Sequence, residues 1–159
     1  MNSWDKKYIR LAREVSSWSK DPSTQIGAVA VGEKGQLLAQ GYNGYLPGAP
    51  HKQVIRDGHE VATVHAEQNA ITDCARRGVS CEGATVYITH YPCINCAKVL
   101  CASGVAHIRY ISDYRNDMLS KYFTDQCGIT LEKMKCPIIK NPRTIDNVLE
   151  NDASRNELI

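Results

Sequence analysis

The sequence predicts a three-layer α/β/α domain built around a central mixed five-stranded sheet. Helical and extended apolar spacings alternate along the chain, which implies crossover connections and helices on both faces of the sheet. The extended runs number five, and Gly- or Pro-containing breaks bound most of the segments. At 159 residues the chain has the length of one domain with one core. Residues 1–140 are expected to form that domain, and residues 141–159 a polar, weakly patterned C-terminal tail of it.

From Ser3 to Trp18 the residues Tyr8, Leu11, Ala12, Val15 and Trp18 recur every three or four positions, an amphipathic helix with Ser3 as its candidate N-cap. Pro22 breaks the pattern and a polar loop follows. Gln25 to Val31 and Gln36 to Tyr42 are extended runs around Gly32-Glu33-Lys34-Gly35, so they form a hairpin. The stretch from Gly41 to about Val61 is rich in Gly and Pro and is expected to be irregular, a long connection of the kind that is usually functional or disordered. Val64 to Arg77 is helical with Gly78 as its stop. Ala84 to Thr89 is a strand, Cys93 to Ser103 a helix, His107 to Ser112 a strand, Asp117 to Cys127 a helix, and Ile129 to Met134 the fifth strand.

Composition narrows the function. Apolar residues make up 43% and charged residues 23%, ordinary for a globular domain. No run approaches the roughly 20 apolar residues of a bilayer span, and Met1 to Lys7 lacks the apolar stretch of a secretory signal. A cytoplasmic protein away from membranes is the expectation. Residues 1–80 carry ten basic and eight acidic side chains and residues 81–159 nine of each, no footprint for long nucleic acid. The seven cysteines (74, 81, 93, 96, 101, 127, 136) are an odd set in a chain that needs no staples, so some are expected to bind metal and the rest to pack or face solvent.

The sharpest feature is Pro92-Cys93-Ile94-Asn95-Cys96 at a helix start, where exposed amides favour thiolates. Alone, the pair reads as metal ligands, a redox couple or chance packing. His65-Ala66-Glu67, alone, contains a structural or surface histidine more often than a ligand. Together, one His and two Cys form three ligands of a Zn²⁺ whose fourth position stays open for water, as catalytic sites require. Glu67 is then placed to exchange protons without ligating.

These residues fill the H-x-E and P-C-x-x-C signature of the zinc nucleobase deaminases. Ser19-Lys20-Asp21-Pro22, Gly41-Tyr42-Asn43-Gly44, His65-Ala66-Glu67-Gln68-Asn69-Ala70-Ile71 and Pro92-Cys93 through Cys96-Ala97-Lys98 make the chain, from Trp4 to Met134, resemble the deoxycytidylate (dCMP) deaminases more narrowly. The resemblance implies a cytidine deaminase-like fold and hydrolysis of dCMP to dUMP and ammonia, which supplies dUMP for thymidylate synthesis. It implies Zn²⁺ on His65, Cys93 and Cys96, with Glu67 as the catalytic proton shuttle. Zinc lowers the pKa of water toward ~7, the condition for attack on cytosine C4 at neutral pH.

The resemblance also implies substrate contacts. Asn43 stands where the family carries a substrate-binding asparagine, although from spacing alone it reads equally as a residue shaping a turn. The Ala66 amide can meet the pyrimidine edge. Lys20, Ser23 and Thr24 suit a monophosphate, the alternative being a solvated loop. Tyr114 and Arg115 follow a strand at its C-terminal edge, where open α/β sheets bind ligands; the alternative is an exposed tyrosine and a surface ion pair.

The family is commonly hexameric and controlled by dCTP and dTTP. Gly41, Tyr42, Asn43 and Gly44 are candidates for a triphosphate effector with Mg²⁺. Arg76 and Arg77 are candidates to link that site to catalysis, or simply cations favoured at a helix end. Some relatives carry a second, structural zinc on N-terminal and loop cysteines; here the first cysteine is Cys74, and His51 and His59 are poor substitutes, so one zinc per chain is expected. Rival readings are a deaminase of another cytosine or adenosine substrate, a free nucleoside or tRNA, and a non-catalytic zinc-binding module.

Overall fold

The computed structural model of the chain describes residues 2–135. The tail expected over residues 141–159, the end of the expected domain, and Cys136 lie outside the described residues.

Helix α1 runs Ser3–Ser16 and is capped by Asn2 rather than the expected Ser3. The Asn2 side chain accepts from the Asp5 amide at 2.8 Å and the Asp5 carboxylate accepts from the Asn2 amide at 2.9 Å, a reciprocal cap available only one residue earlier. The helix also stops before Trp18, which stands exposed with its edge toward Tyr42, while Ile9 joins Ala12 and Val15 in the buried stripe.

The hairpin forms from β1 (Gly27–Val31) and β2 (Leu37–Tyr42). The long connection contains two short antiparallel ribbons: β3 (Gly44–Tyr45) pairs with β6 (Thr63–Val64), and β4 (Ile55–Arg56) with β5 (His59–Glu60). The Glu60 carboxylate closes the arm by accepting from the amides of Val54, Ala62 and Thr63 at 2.9–3.0 Å, and those amides hold its pKa down at about 2. Then follow α2 (Ala66–Arg77), β7 (Thr85–His90), α3 (Ile94–Ala102), β8 (His107–Ser112), α4 (Met118–Gln126) and β9 (Thr130–Lys133).

The strand order is β2-β1-β7-β8-β9, antiparallel across the first two junctions and parallel across the last two, the expected mixed sheet of five. The two-residue period of β1 and β7 separates the core into two clusters. Val29, Val31 and Tyr87 meet α1 on one face, and Ala28, Ala30, Val86 and Ile88 meet α2 and α3 on the other. Glycines admit the helices: a Cβ on Gly27 would stand 2.1 Å from the Ala12 carbonyl oxygen of α1, and one on Gly41 would stand 2.2 Å from the Ala66 carbonyl oxygen of α2. The polar tie between α1 and the sheet is Asp5, which accepts from the Tyr87 hydroxyl at 2.7 Å and from the Arg109 guanidinium. Among the described residues no helix is long and apolar enough to cross a membrane.

Candidate active site

Two helix starts converge at the site. His65 is the residue before α2 and Cys93 the residue before α3, both in extended backbone, and Cys96 lies in the first turn of α3. The sequence produces these corners locally. Gln68 Oε1 accepts from the His65 amide at 3.3 Å, and Cys93 Sγ accepts from the Cys96 amide at 3.5 Å.

The ligand atoms of His65, Cys93 and Cys96 all lie within 4.8 Å of one another. His65 Nδ1 is 3.6 Å from Cys93 Sγ and 3.4 Å from Cys96 Sγ. A tetrahedral Zn²⁺ with its ordinary bonds to nitrogen and sulfur requires an N···S separation of about 3.6 Å. The three side chains therefore fit that ion.

Electrostatics suits the same use. Cys93 is held down at about 4, first by the hydrogen bond from the Cys96 thiol, then by His65 and the Cys96 amide. Cys96, fully buried beside that thiolate, is pushed up. The Cys93 partner raises His65. Glu67 is buried next to Cys96, and desolvation pushes its carboxyl up, so it holds a proton more readily than a surface carboxylate. Ala66 is the first residue of α2, where amides have no carbonyl partner within the helix.

The remaining candidates fall into two groups. Asn43 is buried, and its amide joins two neighbouring segments: Oδ1 accepts from the Ile26 amide at 2.7 Å and Nδ2 donates to the Thr24 carbonyl at 2.9 Å. The Ser19 hydroxyl donates to the Asn43 carbonyl at 2.7 Å. Asn43 thus ties the loop carrying Lys20, Ser23 and Thr24 to the turn after β2. Within that loop Asp21 Oδ1 accepts from the Ser23 and Thr24 amides and from the Ser23 hydroxyl. Tyr114 sets its ring against that of His90, the last residue of β7, at 5.7 Å, and the Arg115 guanidinium lies 5.6 Å from the Tyr114 ring.

Gly41, Tyr42, Gly44 and Arg76 line a cavity of about 530 Å³, together with Lys20 and Asp73; Asn43, Ser23 and Thr24 are not in its lining. Gly41 serves helix packing here, because its missing Cβ lets α2 approach. Arg77 points elsewhere, pairing with Asp73 at 2.8 Å and donating to the Leu38 carbonyl. Of the other cysteines, Cys74 and Cys81 are buried in the core, Cys101 is half-buried and Cys127 exposed.

Sequence reasoning assigned no role to Gln68, Asn69, Asp21, Ser19 or Glu60. Gln68 was detectable as the third residue of a capping box after His65. Asn69 donates to the Tyr42 carbonyl at 2.8 Å across 27 residues, a contact with no local signal.

Comparison with known proteins agrees with the geometry. The family profile described as "Cytidine and deoxycytidylate deaminase zinc-binding region" matches residues 2–112. ComE operon protein 2 of Bacillus subtilis (strain 168) is 34% identical over 137 residues, 84% of this chain and 72% of that protein. A probable deoxycytidylate deaminase of Caenorhabditis elegans is 32% identical over 141 residues, 83% of this chain and 70% of that protein. The dCMP deaminase of cyanophage S-TIM5, solved in complex with dCMP and dUMP, superposes with a TM-score of 0.75 at 31% identity, covering 84% of this chain and 99% of that one. With its signature residues gathered at two helix starts on the expected mixed sheet, the chain belongs to the cytidine and deoxycytidylate deaminase zinc-binding family.

Proposed function

We propose that this chain is a zinc-dependent dCMP deaminase, adding water to the C4 carbon of dCMP and releasing dUMP and ammonia. The observation that carries the reading is the convergence of His65, Cys93 and Cys96 in zinc-fitting geometry beside a buried Glu67. The narrower substrate assignment is supported by the cyanophage enzyme that binds dCMP and dUMP in the same fold.

Zn²⁺ held by these three residues supplies Lewis acidity that brings the pKa of water toward ~7. The chain's own residues do the rest. Glu67 takes a proton from the attacking water and delivers it to ring N3. It then carries the second proton to the departing amine, so one carboxyl serves both halves of the reaction. Burial keeps that carboxyl out of bulk water and its raised pKa matches a group that must both accept and donate. The Ala66 amide is assigned to the pyrimidine edge. Asn43 is assigned to sugar or base through the hydrogen and lone pair its loop contacts leave over. Lys20, Ser23, Thr24 and Arg115 are assigned to the 5′-phosphate, with Tyr114 covering the base.

Regulation by dCTP with Mg²⁺ as activator and dTTP as inhibitor, in a homohexamer, belongs to the same reading. The 530 Å³ cavity beside Gly41, Tyr42, Gly44 and Arg76 supports it, since that cavity is bordered by α2, the helix that starts at His65 and Glu67.

The test is ammonia release from a panel of dCMP, deoxycytidine, cytidine, CMP and adenosine, with and without dCTP, dTTP and Mg²⁺. The expected result is at least a tenfold higher kcat/KM for dCMP than for deoxycytidine, and a sigmoidal dCMP curve that dCTP makes hyperbolic. A coupling of ~1–3 kcal/mol changes apparent dCMP affinity about 5- to 150-fold. Equal kcat/KM for dCMP and deoxycytidine overturns the phosphate site. Hyperbolic curves unaffected by either triphosphate overturn the regulation.

A further inference from the structure

We propose that Ser120 and Tyr91 are positioning residues for the metal centre: the start of α4 clamps the corner before Cys93 and so sets where the two thiolates stand. The inference rests on the metal-binding reading above but not on which substrate is turned over.

Ser120 lies in the first turn of α4 and is fully buried. Its hydroxyl donates to the Pro92 carbonyl at 3.0 Å, across 28 residues of sequence. Pro92 is itself fully buried, so no bulk water stands ready to replace that donor. The Pro92 carbonyl and the Cys93 amide belong to one planar peptide group. A hydrogen bond that orients the carbonyl therefore orients the plane on which the Cys93 corner turns, and with it the first turn of α3 that carries Cys96.

Tyr91 closes the clamp from the other side. Its hydroxyl donates to the Asp117 carbonyl at 3.0 Å, its amide donates to the Ser112 carbonyl at 2.9 Å, and its ring sits edge-on to Tyr110 at 5.1 Å. Asp117 is fixed in turn as the cap of α4, its side chain accepting from the Leu119 amide at 2.9 Å. The segment between the two anchors, Ser112 and Asp117, carries Tyr114 and Arg115. Asp113, Asn116 and the Tyr114 amide brace it with two hydrogen bonds of 2.8 Å. One clamp thus fixes both the corner that presents the thiols and the segment offered to the nucleotide.

Thr124 provides an internal comparison. It is as buried as Ser120 and lies one turn further along the same helix, yet its hydroxyl donates to the Lys121 carbonyl of its own helix at 2.9 Å rather than to the metal corner. A hydroxyl that acts only through stability behaves like Thr124.

The experiment measures zinc affinity of the full chain by chelator competition, together with the thiolate-to-metal absorption of the Co²⁺-loaded protein, for wild type, Ser120→Ala, Tyr91→Phe and Thr124→Val. Loss of a group that orients a metal ligand costs typically 10- to 100-fold in affinity. The expected result is a loss in that range for Ser120→Ala with altered Co²⁺ bands, a smaller loss in the same direction for Tyr91→Phe, and wild-type affinity for Thr124→Val even where its melting temperature falls. Wild-type affinity and bands in Ser120→Ala overturn the proposal, as do equal losses in Ser120→Ala and Thr124→Val. If Ser120→Ala does not fold, Tyr91→Phe decides by the same criterion. A zinc-loaded wild type that turns over no dCMP defeats the proposed function while the affinity ranking still decides this inference.

Discussion

Replacing Gly41 by alanine separates two readings of the same residue. As a triphosphate contact, Gly41 supplies only backbone access, and the alanine variant would lose effector response while keeping basal turnover. The packing argument predicts otherwise. The new Cβ would stand 2.2 Å from the Ala66 carbonyl oxygen, 2.5 Å from the Ala70 amide nitrogen and 3.0 Å from Asn69 Cβ. Two of these are helix backbone atoms that cannot rotate away. Ordinary contact begins at 3.4 Å, so the first turns of α2 must retreat by about 1 Å. That turn carries Glu67 and is preceded by His65, whereas Cys93 and Cys96 sit at the start of α3 and do not follow. A displacement of 1 Å at a reacting group costs about 10²-fold in rate. Overpacking of this kind costs about 1–3 kcal/mol of stability, which for this chain length lowers the melting temperature by roughly 2–12 °C. The assay pairs thermal unfolding with dCMP turnover without effector, using Gly44→Ala as control because its Cβ would come no nearer to any atom than 3.2 Å, at the Tyr42 ring. Unchanged basal turnover and melting temperature in Gly41→Ala would refute the reasoning.

Three further outcomes follow from the site. Glu67→Gln keeps the fold and zinc content yet lowers kcat by about 10²–10⁴, since an amide cannot carry the proton; turnover within tenfold of wild type would sink that role. Cys96→Ser, at the fully buried ligand, loses most of its zinc by metal analysis, and full retention with intact activity would remove the ligand assignment. Glu60→Ala frees the Val54, Ala62 and Thr63 amides, so trypsin cuts the arm at Lys52 or Arg56 severalfold faster. Because the folded carboxyl lies at about 2, below its ordinary 4.5, the same brace in wild type is complete above pH 4.5 and is lost as pH falls toward 2. Equal cutting rates for the variant and wild type at neutral pH would show that the carboxylate does not hold the arm.

Much of the protein was legible because its chemistry is local. The strand and helix order follows from two spacings, 2.0 and 3.6 residues, that any reader of the chain can count. His65, Glu67, Cys93 and Cys96 stand in two short motifs, each at a helix start, and a helix start is a local event of capping and freed amides. Even the misplaced cap at Ser3 missed by one residue, because Asn2, Ser3 and Asp5 are all capping types and only the reciprocal Asn2–Asp5 geometry chooses among them.

What only the tertiary structure decided are the contacts between segments far apart in sequence. Gly41 reads as loop freedom until α2 is laid against β2 and its missing Cβ becomes the gap that admits a backbone. Asn43 reads as a turn residue or a substrate contact until its amide is found bridging Thr24 and Ile26. Lys20, Ser23 and Thr24 are neighbours in sequence, yet only Lys20 lines the cavity beside α2. Ser120 carries no signal at all until α4 packs on α3 and brings its hydroxyl to Pro92. A sequence pattern records which face of an element is buried. Which atoms meet there depends on where sheet twist and helix packing place the partner, and no residue's local neighbours carry that information.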